Sequence, residues 1–212
     1  MLGSQSIAGC VLAGGQSRRM GGREKSMLSL AGKPMLAHVL ERLGPQVELL
    51  FVNANGPPDR FSQFDVPVVA DSLKGHLGPL AGIHAGLHWL RDQAPEISHM
   101  VTVSTDAPLM PRDLVARFAA PLEPSSDNIS MARSAGRLHP VIALWPVSLA
   151  DDLELAVRDG TRKVLRWTDT HIVHAIDFEP LYLGDGEIDP FFNANTPDEL
   201  ARLETILSGS LP

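Results

Sequence analysis

Between Leu12 and Lys25 the chain reads Leu-Ala-Gly-Gly-Gln-Ser-Arg-Arg-Met-Gly-Gly-Arg-Glu-Lys, four glycines and four cations within fourteen residues. Glycines let the backbone approach a ligand closely and turn its N–H groups toward it. An arginine grips phosphate oxygens in pairs, and a lysine supplies a mobile point charge. In a chain whose formal charge is −7, such a local crowd of cations points to a polyphosphate. The loop is not a P-loop, because no Gly-Lys pair has both the upstream glycine and the following hydroxyl residue that this motif needs. Gly-x-Gly-x-x-Gly is missing as well, so kinase, ATPase and dehydrogenase chemistries lose their support.

The elements around this loop explain how it would be held. Ile7 to Leu12 is an apolar run stopped by Gly14 and Gly15, the pattern of a strand buried on both faces. A helix is predicted between Pro34 and Gly44, a strand over Glu48 to Asn53, and another over Val66 to Ala70. Leu80 to Leu90 follows the Gly78-Pro79 break with helical spacing, His99 to Ser104 reads as a strand, and a helix should begin near Pro111. Alternation of this kind implies βαβ units and a mostly parallel sheet with helices on both sides. Ligands then belong at the strands' carboxyl ends. The glycine loop, Asn53, Asp71 and Asp106 each lie just after a predicted strand and so face one crevice. The remainder carries strands at Ile129 to Ala132, Val141 to Leu144 and Ile172 to Ile176, with helical stretches at Leu149 to Val157 and Thr161 to Trp167. Thr196-Pro197-Asp198-Glu199 has capping-box spacing, so a last helix should start at Pro197.

Composition bounds the function. With 212 residues, 44% hydrophobic and 20% charged, the chain has the make-up of a folded protein. Its acidic balance argues against nucleic acid or anionic membrane as a partner. The lone cysteine, Cys10, lies in an apolar run and is expected to be a buried small hydrophobe. Neither a membrane-length apolar run nor a signal-peptide pattern is present, which predicts a cytoplasmic protein.

The glycine loop resembles the signature of the molybdenum cofactor guanylyltransferases, within the larger group of Rossmann-like nucleotidyltransferases. The likeness continues through Gly32-Lys33-Pro34, Val52-Asn53-Ala54-Asn55, Asp71-Ser72, Gly78-Pro79-Leu80-Ala81-Gly82, Thr105-Asp106-Ala107-Pro108, His139-Pro140 and Asn193-Ala194-Asn195-Thr196-Pro197. It implies one α/β/α domain over residues 1–212, of the nucleoside-diphospho-sugar transferase type, with residues 7–120 holding the nucleotide and residues 121–212 the acceptor. It further implies transfer of GMP from GTP to the phosphate of molybdopterin carrying molybdenum, with Mg2+ as cofactor. Molybdenum cofactor biosynthesis proteins and recipient molybdoenzymes are the implied partners.

On that resemblance Arg19, Lys25 and Asp106 are the catalytic candidates. The nucleotide would be bound by Leu12, Ala13, Gly14, Gly15, Arg19, Lys25, Asn53, Asp71, Leu80 and Asp106. Lys25 would stand by the α-phosphate, and Arg19 with the backbone of Gly14 and Gly15 by the β and γ groups. Asp106 and Asn195 are the candidate metal ligands, and His139, Asn193 and Asn195 the acceptor contacts. Two departures from the family pattern stand out: Glu24 where an aspartate is common, and Thr105-Asp106-Ala107 in place of Cys-Asp-Thr. The cytidylyltransferases that modify the same cofactor and the sugar-1-phosphate nucleotidyltransferases share the loop, and Gly14-Gly15 favours the guanine branch.

Overall fold

A computed structural model describes residues 6–14, 25–73, 77–123, 126–183, 186–194 and 196–208. Its strands are β1 (Ile7–Leu12), β2 (Ser29–Leu30), β3 (Lys33–Pro34), β4 (Leu49–Asn53), β5 (Val68–Val69), β6 (His99–Ser104), β7 (Ile129–Ser134), β8 (Arg137–Pro146), β9 (Val173–Asp177), β10 (Leu181–Leu183) and β11 (Gly186–Ile188). Its helices are α1 (Met35–Leu43), α2 (Pro79–Gln93), α3 (Leu114–Ala119), α4 (Ala150–Arg158), α5 (Val164–Thr168) and α6 (Pro197–Ser208).

Among the described residues, seven strands form one sheet in the order β5-β4-β1-β6-β8-β7-β9. Every neighbouring pair is parallel except those involving β8, which runs antiparallel to β6 and β7. Alternation along β1 explains the two cores: Ala8 and Cys10 pack with α2, α4 and α5, whereas Ile7 and Val11 pack with α1 and α3. The result is the expected three-layer α/β/α arrangement with a mostly parallel sheet. Cys10 is fully buried, as expected, and burial holds its thiol well above the ordinary thiol range.

Several element boundaries differ from the sequence expectation for local reasons. The strand expected over Val66 to Ala70 pairs only at Val68–Val69; Pro67 has no N–H to give and contributes its carbonyl to Val52 N. The helix expected at Pro111 begins at Leu114, because the Gln46 amide takes the Pro111 carbonyl and accepts from Val115 N, capping the helix three residues later. The strand at Val141 to Leu144 extends to Arg137–Pro146, and the helical stretch at Thr161 to Trp167 is confined to Val164–Thr168.

Two short hairpins, β2–β3 and β10–β11, have too few residues to show any period. The first turns at Ala31-Gly32, both with positive φ (48° and 79°), the conformation of a tight primed turn. The α6 capping box forms as its sequence promised: Thr196 N donates to Glu199 Oε2 at 2.9 Å and Glu199 N to Thr196 Oγ1 at 3.2 Å. No helix among the described residues is long and apolar enough to cross a membrane.

Candidate active site

Register brings the sequence candidates together. Leu12 is paired with both Asn53 and Ser104, and Asn53 with Val69, so the last residues of β5, β4, β1 and β6 stand in one row. At the ordinary strand spacing this row is about 14 Å long. Gly14, Asp71 and Asp106 each lie two residues beyond it, and Asn53 lies in it. The ladder continues past the row, with Ala13 N donating to Asn53 O at 2.8 Å and Ala54 N to Val69 O at 3.1 Å.

At one end of the row, Lys25 Nζ donates to Asp106 Oδ2 at 2.7 Å across 81 residues of sequence. Both side chains are largely covered, 15% and 18% exposed, so the pair is shielded from full solvent screening. Ser104 donates its hydroxyl to the other Asp106 oxygen. The sequence reading overlooked Ser104; its place at the end of β6, two residues before Asp106, was the available signal. Lys25 opens a 3-10 turn, Lys25–Met27, that leads into the β2–β3 hairpin. The hairpin is anchored by the His38 ring against Leu30 O at 2.7 Å and by Ala31 N donating to Glu204 Oε2 of α6 at 2.9 Å. The C-terminal helix thus helps hold the segment that carries Lys25.

At the other end, Asn53 is 3% exposed and its amide nitrogen donates to Val69 O at 3.1 Å and to Asp71 Oδ1 at 3.0 Å. Asn55 donates to Asp71 Oδ2 at 2.7 Å and accepts from Asp71 N at 3.0 Å. Each oxygen of the Asp71 carboxylate is therefore aimed by an amide. Nothing local in Val52-Asn53-Ala54-Asn55 marks Asn55; only the fold shows that it positions Asp71. Leu80 is fully buried in the first turn of α2, behind Gly78, whose φ of 58° only glycine adopts comfortably. Gly14 is exposed and not left-handed; among the described residues a Cβ there would meet only Asn53 Oδ1, at 3.9 Å.

His139 lies four residues before Ala143, the partner of Thr102 on the antiparallel neighbour of β6, and so toward the same carboxyl edge. His139, half-buried on β8, has Nε2 2.6 Å from Ser134 Oγ, which donates to Asp189 Oδ2 at 2.7 Å. Burial, only partly opposed by Asp189, lowers the His139 pKa and favours the neutral ring. A pocket of about 300 Å³ nearby is lined by Ser134, Asp177, Glu179, Glu187 and Asp189, the wrong sign for a phosphate. Asn193 is exposed. Gly15, Arg19 and Asn195 lie outside the described residues.

The MobA-like NTP transferase domain matches residues 9–173. The chain belongs to that family. It is 45% identical over 202 residues to the molybdenum cofactor guanylyltransferase of Bradyrhizobium sp. (strain ORS 278), covering 95% of this chain and 93% of the relative. To the molybdenum cofactor guanylyltransferase of Rhizobium leguminosarum bv. trifolii (strain WSM2304) it is 48% identical over 205 residues, 96% of this chain and 94% of that one. Molybdopterin-guanine dinucleotide biosynthesis protein A from Archaeoglobus fulgidus superposes with a TM-score of 0.73 at 27% identity, over 96% of this chain and all of that one. In open α/β sheets ligands bind outside the carboxyl ends of the strands, the edge that this row occupies.

Proposed function

We propose that the chain transfers GMP from GTP to the phosphate of molybdenum-bearing molybdopterin, releasing pyrophosphate and leaving the guanine dinucleotide form of the cofactor. The carrying observation is the Lys25–Asp106 pair, a cation and a carboxylate drawn together at the carboxyl edge between β1 and β6. An oxygen of the acceptor phosphate attacks the α-phosphorus of GTP. The new P–O bond forms as the α–β bridging bond breaks, and the bonding pair leaves with pyrophosphate.

In that reaction Lys25 neutralises charge on the α-phosphate, while Arg19 and the N–H groups of Gly14 and Gly15 face the β and γ groups. Asn53 and the aimed Asp71 carboxylate contact the guanine nucleotide, with Leu12 and Ala13 as its apolar surround, while the fully buried Leu80 anchors the first turn of α2. Residues 7–120 carry these groups. Residues 121–212 serve the acceptor through His139, whose Nδ1 is the edge left for a ligand, and through Asn193 and Asn195.

Enzymes of this family depend in general on a divalent metal. The Asp106 carboxylate and the Ser104 hydroxyl are hard oxygen donors at the strand end, a donor set that fits Mg2+, the ion proposed here. Asp106 would hold it, with the Asn195 amide oxygen as a further ligand. Bound there, Mg2+ supplies positive charge to the phosphate oxygens and the leaving group.

The test is pyrophosphate release from GTP and from CTP, each with and without molybdopterin. Release that needs both GTP and molybdopterin is expected. Preference for CTP, or release indifferent to the acceptor, overturns the assignment.

A further inference from the structure

We propose that His84, His88 and Glu154 form a binding site for a divalent transition-metal cation of the zinc class, joining α2 to α4. His84 and His88 are four residues apart on α2 and so share one face of that helix, which packs on α4. Their rings lie 4.2 Å apart. One donor atom from each of the two histidines and from Glu154 lies within 4.8 Å of the other two. Tetrahedral zinc with histidine and carboxylate ligands needs donors about 3.4 Å apart. His88 Nε2 already stands 3.6 Å from Glu154 Oε2, and side-chain rotation closes the rest.

The independent observation is His84 itself. It is 3% exposed, and its Nε2 has no hydrogen-bond partner among the described residues. Its Nδ1 lies 3.2 Å from the Ser72 hydroxyl, which orients the ring and leaves Nε2 as the nitrogen for a metal. Arg158 holds Glu154 Oε1 in the same way, leaving Oε2 toward His88.

Binding asks one rearrangement. His88 Nε2 donates to Ala150 O at 3.2 Å, and its Nδ1 accepts from Arg91 at 2.8 Å. Ligation through Nε2 moves the proton to Nδ1 and displaces the Arg91 contact. The ring is neutral before and after, so no proton is lost. Arg91 is 42% exposed and already bonded to Asp151 at 2.6 Å, which gives its guanidinium an alternative place. Two imidazoles with one carboxylate select zinc-like ions over magnesium, so this site and the Asp106 edge take different cations. Through Ser72, the residue after Asp71, the metal would also steady the loop at the end of the nucleotide row.

The full chain, stripped with a chelator and dialysed, is titrated with Zn2+ by calorimetry in excess Mg2+, and the histidine ring resonances are followed by NMR. One equivalent of Zn2+ is expected, with the His84 and His88 rings shifted. His88→Gln and Glu154→Gln, each checked for native circular dichroism, should weaken binding by about 10²-fold or more. His171→Gln, at a histidine outside the cluster, should leave it unchanged. Absence of saturable binding to the folded chain, or binding that survives both His88→Gln and Glu154→Gln, overturns the proposal.

Discussion

Substituting Gly82 by alanine tests how α2 holds the strand-end row in place. A Cβ at Gly82 would stand 2.3 Å from Asn53 Oδ1 and 2.7 Å from Leu12 Cδ2. The amide must retreat by about 1 Å to reach ordinary van der Waals separation. It is pinned by the two bonds from its nitrogen, to Val69 O and to Asp71 Oδ1. Losing both costs about 1–3 kcal/mol, offset by about 1 kcal/mol of improved helix propensity. Gly82→Ala should therefore lower stability by at most about 2 kcal/mol and release one of the amides that aim Asp71.

Gly86→Ala is the control. One turn along the same helix, its Cβ would meet Met100 Sδ at 2.6 Å and, next nearest, Met100 Cε and Phe51 Cζ at 3.2 Å, away from Asn53. It too should be destabilising, by about 1–3 kcal/mol of overpacking. Urea melts read the stability of both variants, and pyrophosphate release at varied GTP reads KM. Gly82→Ala should raise KM about tenfold, equivalent to about 1.4 kcal/mol, while Gly86→Ala leaves it near wild type. An unchanged KM in Gly82→Ala, or an equal rise in both, refutes the role given to Asn53.

Lys25→Met and Asp106→Asn should each lower turnover by about 10² to 10³-fold, as for loss of one preorganised charge-stabilising group. Because the two side chains share an ion pair, the double variant should lose less than the product of the singles; a multiplicative loss in pyrophosphate release would mean that they act separately. His99 is buried with Nε2 unpartnered, and burial takes its pKa from 6.5 down to about 4, against a small opposing pull from Asp127. In the window between those values the unfolded chain takes up a proton that the native state refuses, so stability falls as pH falls. At pH 4.5 the His99 share of the loss is about 2–3 kcal/mol, fading to a few tenths or less by about pH 7. Urea melts of wild type and His99→Gln at pH 7 and 4.5 check it, and the variant should show the shallower decline. Thr196→Ala removes the α6 cap and should cost about 1 kcal/mol by thermal melt.

Much of this molecule was legible locally. The β1 span, the helix between Pro34 and Gly44, the β6 span and the capping box at Thr196 were all read at or near their observed limits, because hydrophobic period and cap chemistry are short-range signals. From sequence alone the cations and glycines of the loop point to a phosphate cradle, and Asn53, Asp71 and Asp106 stand at or just after strand ends as expected. What the tertiary structure alone decided is which of these meet. Strand register sets Val69, Asn53, Leu12 and Ser104 in one row, and a one-residue slip would have turned the side chains to the opposite face. The Lys25–Asp106 contact, the support of the Lys25 segment by Glu204 and the meeting of His84 with Glu154 join residues 81, 173 and 70 positions apart. Such contacts leave no period in the sequence, since each depends on how whole layers pack rather than on what its neighbours along the chain prefer.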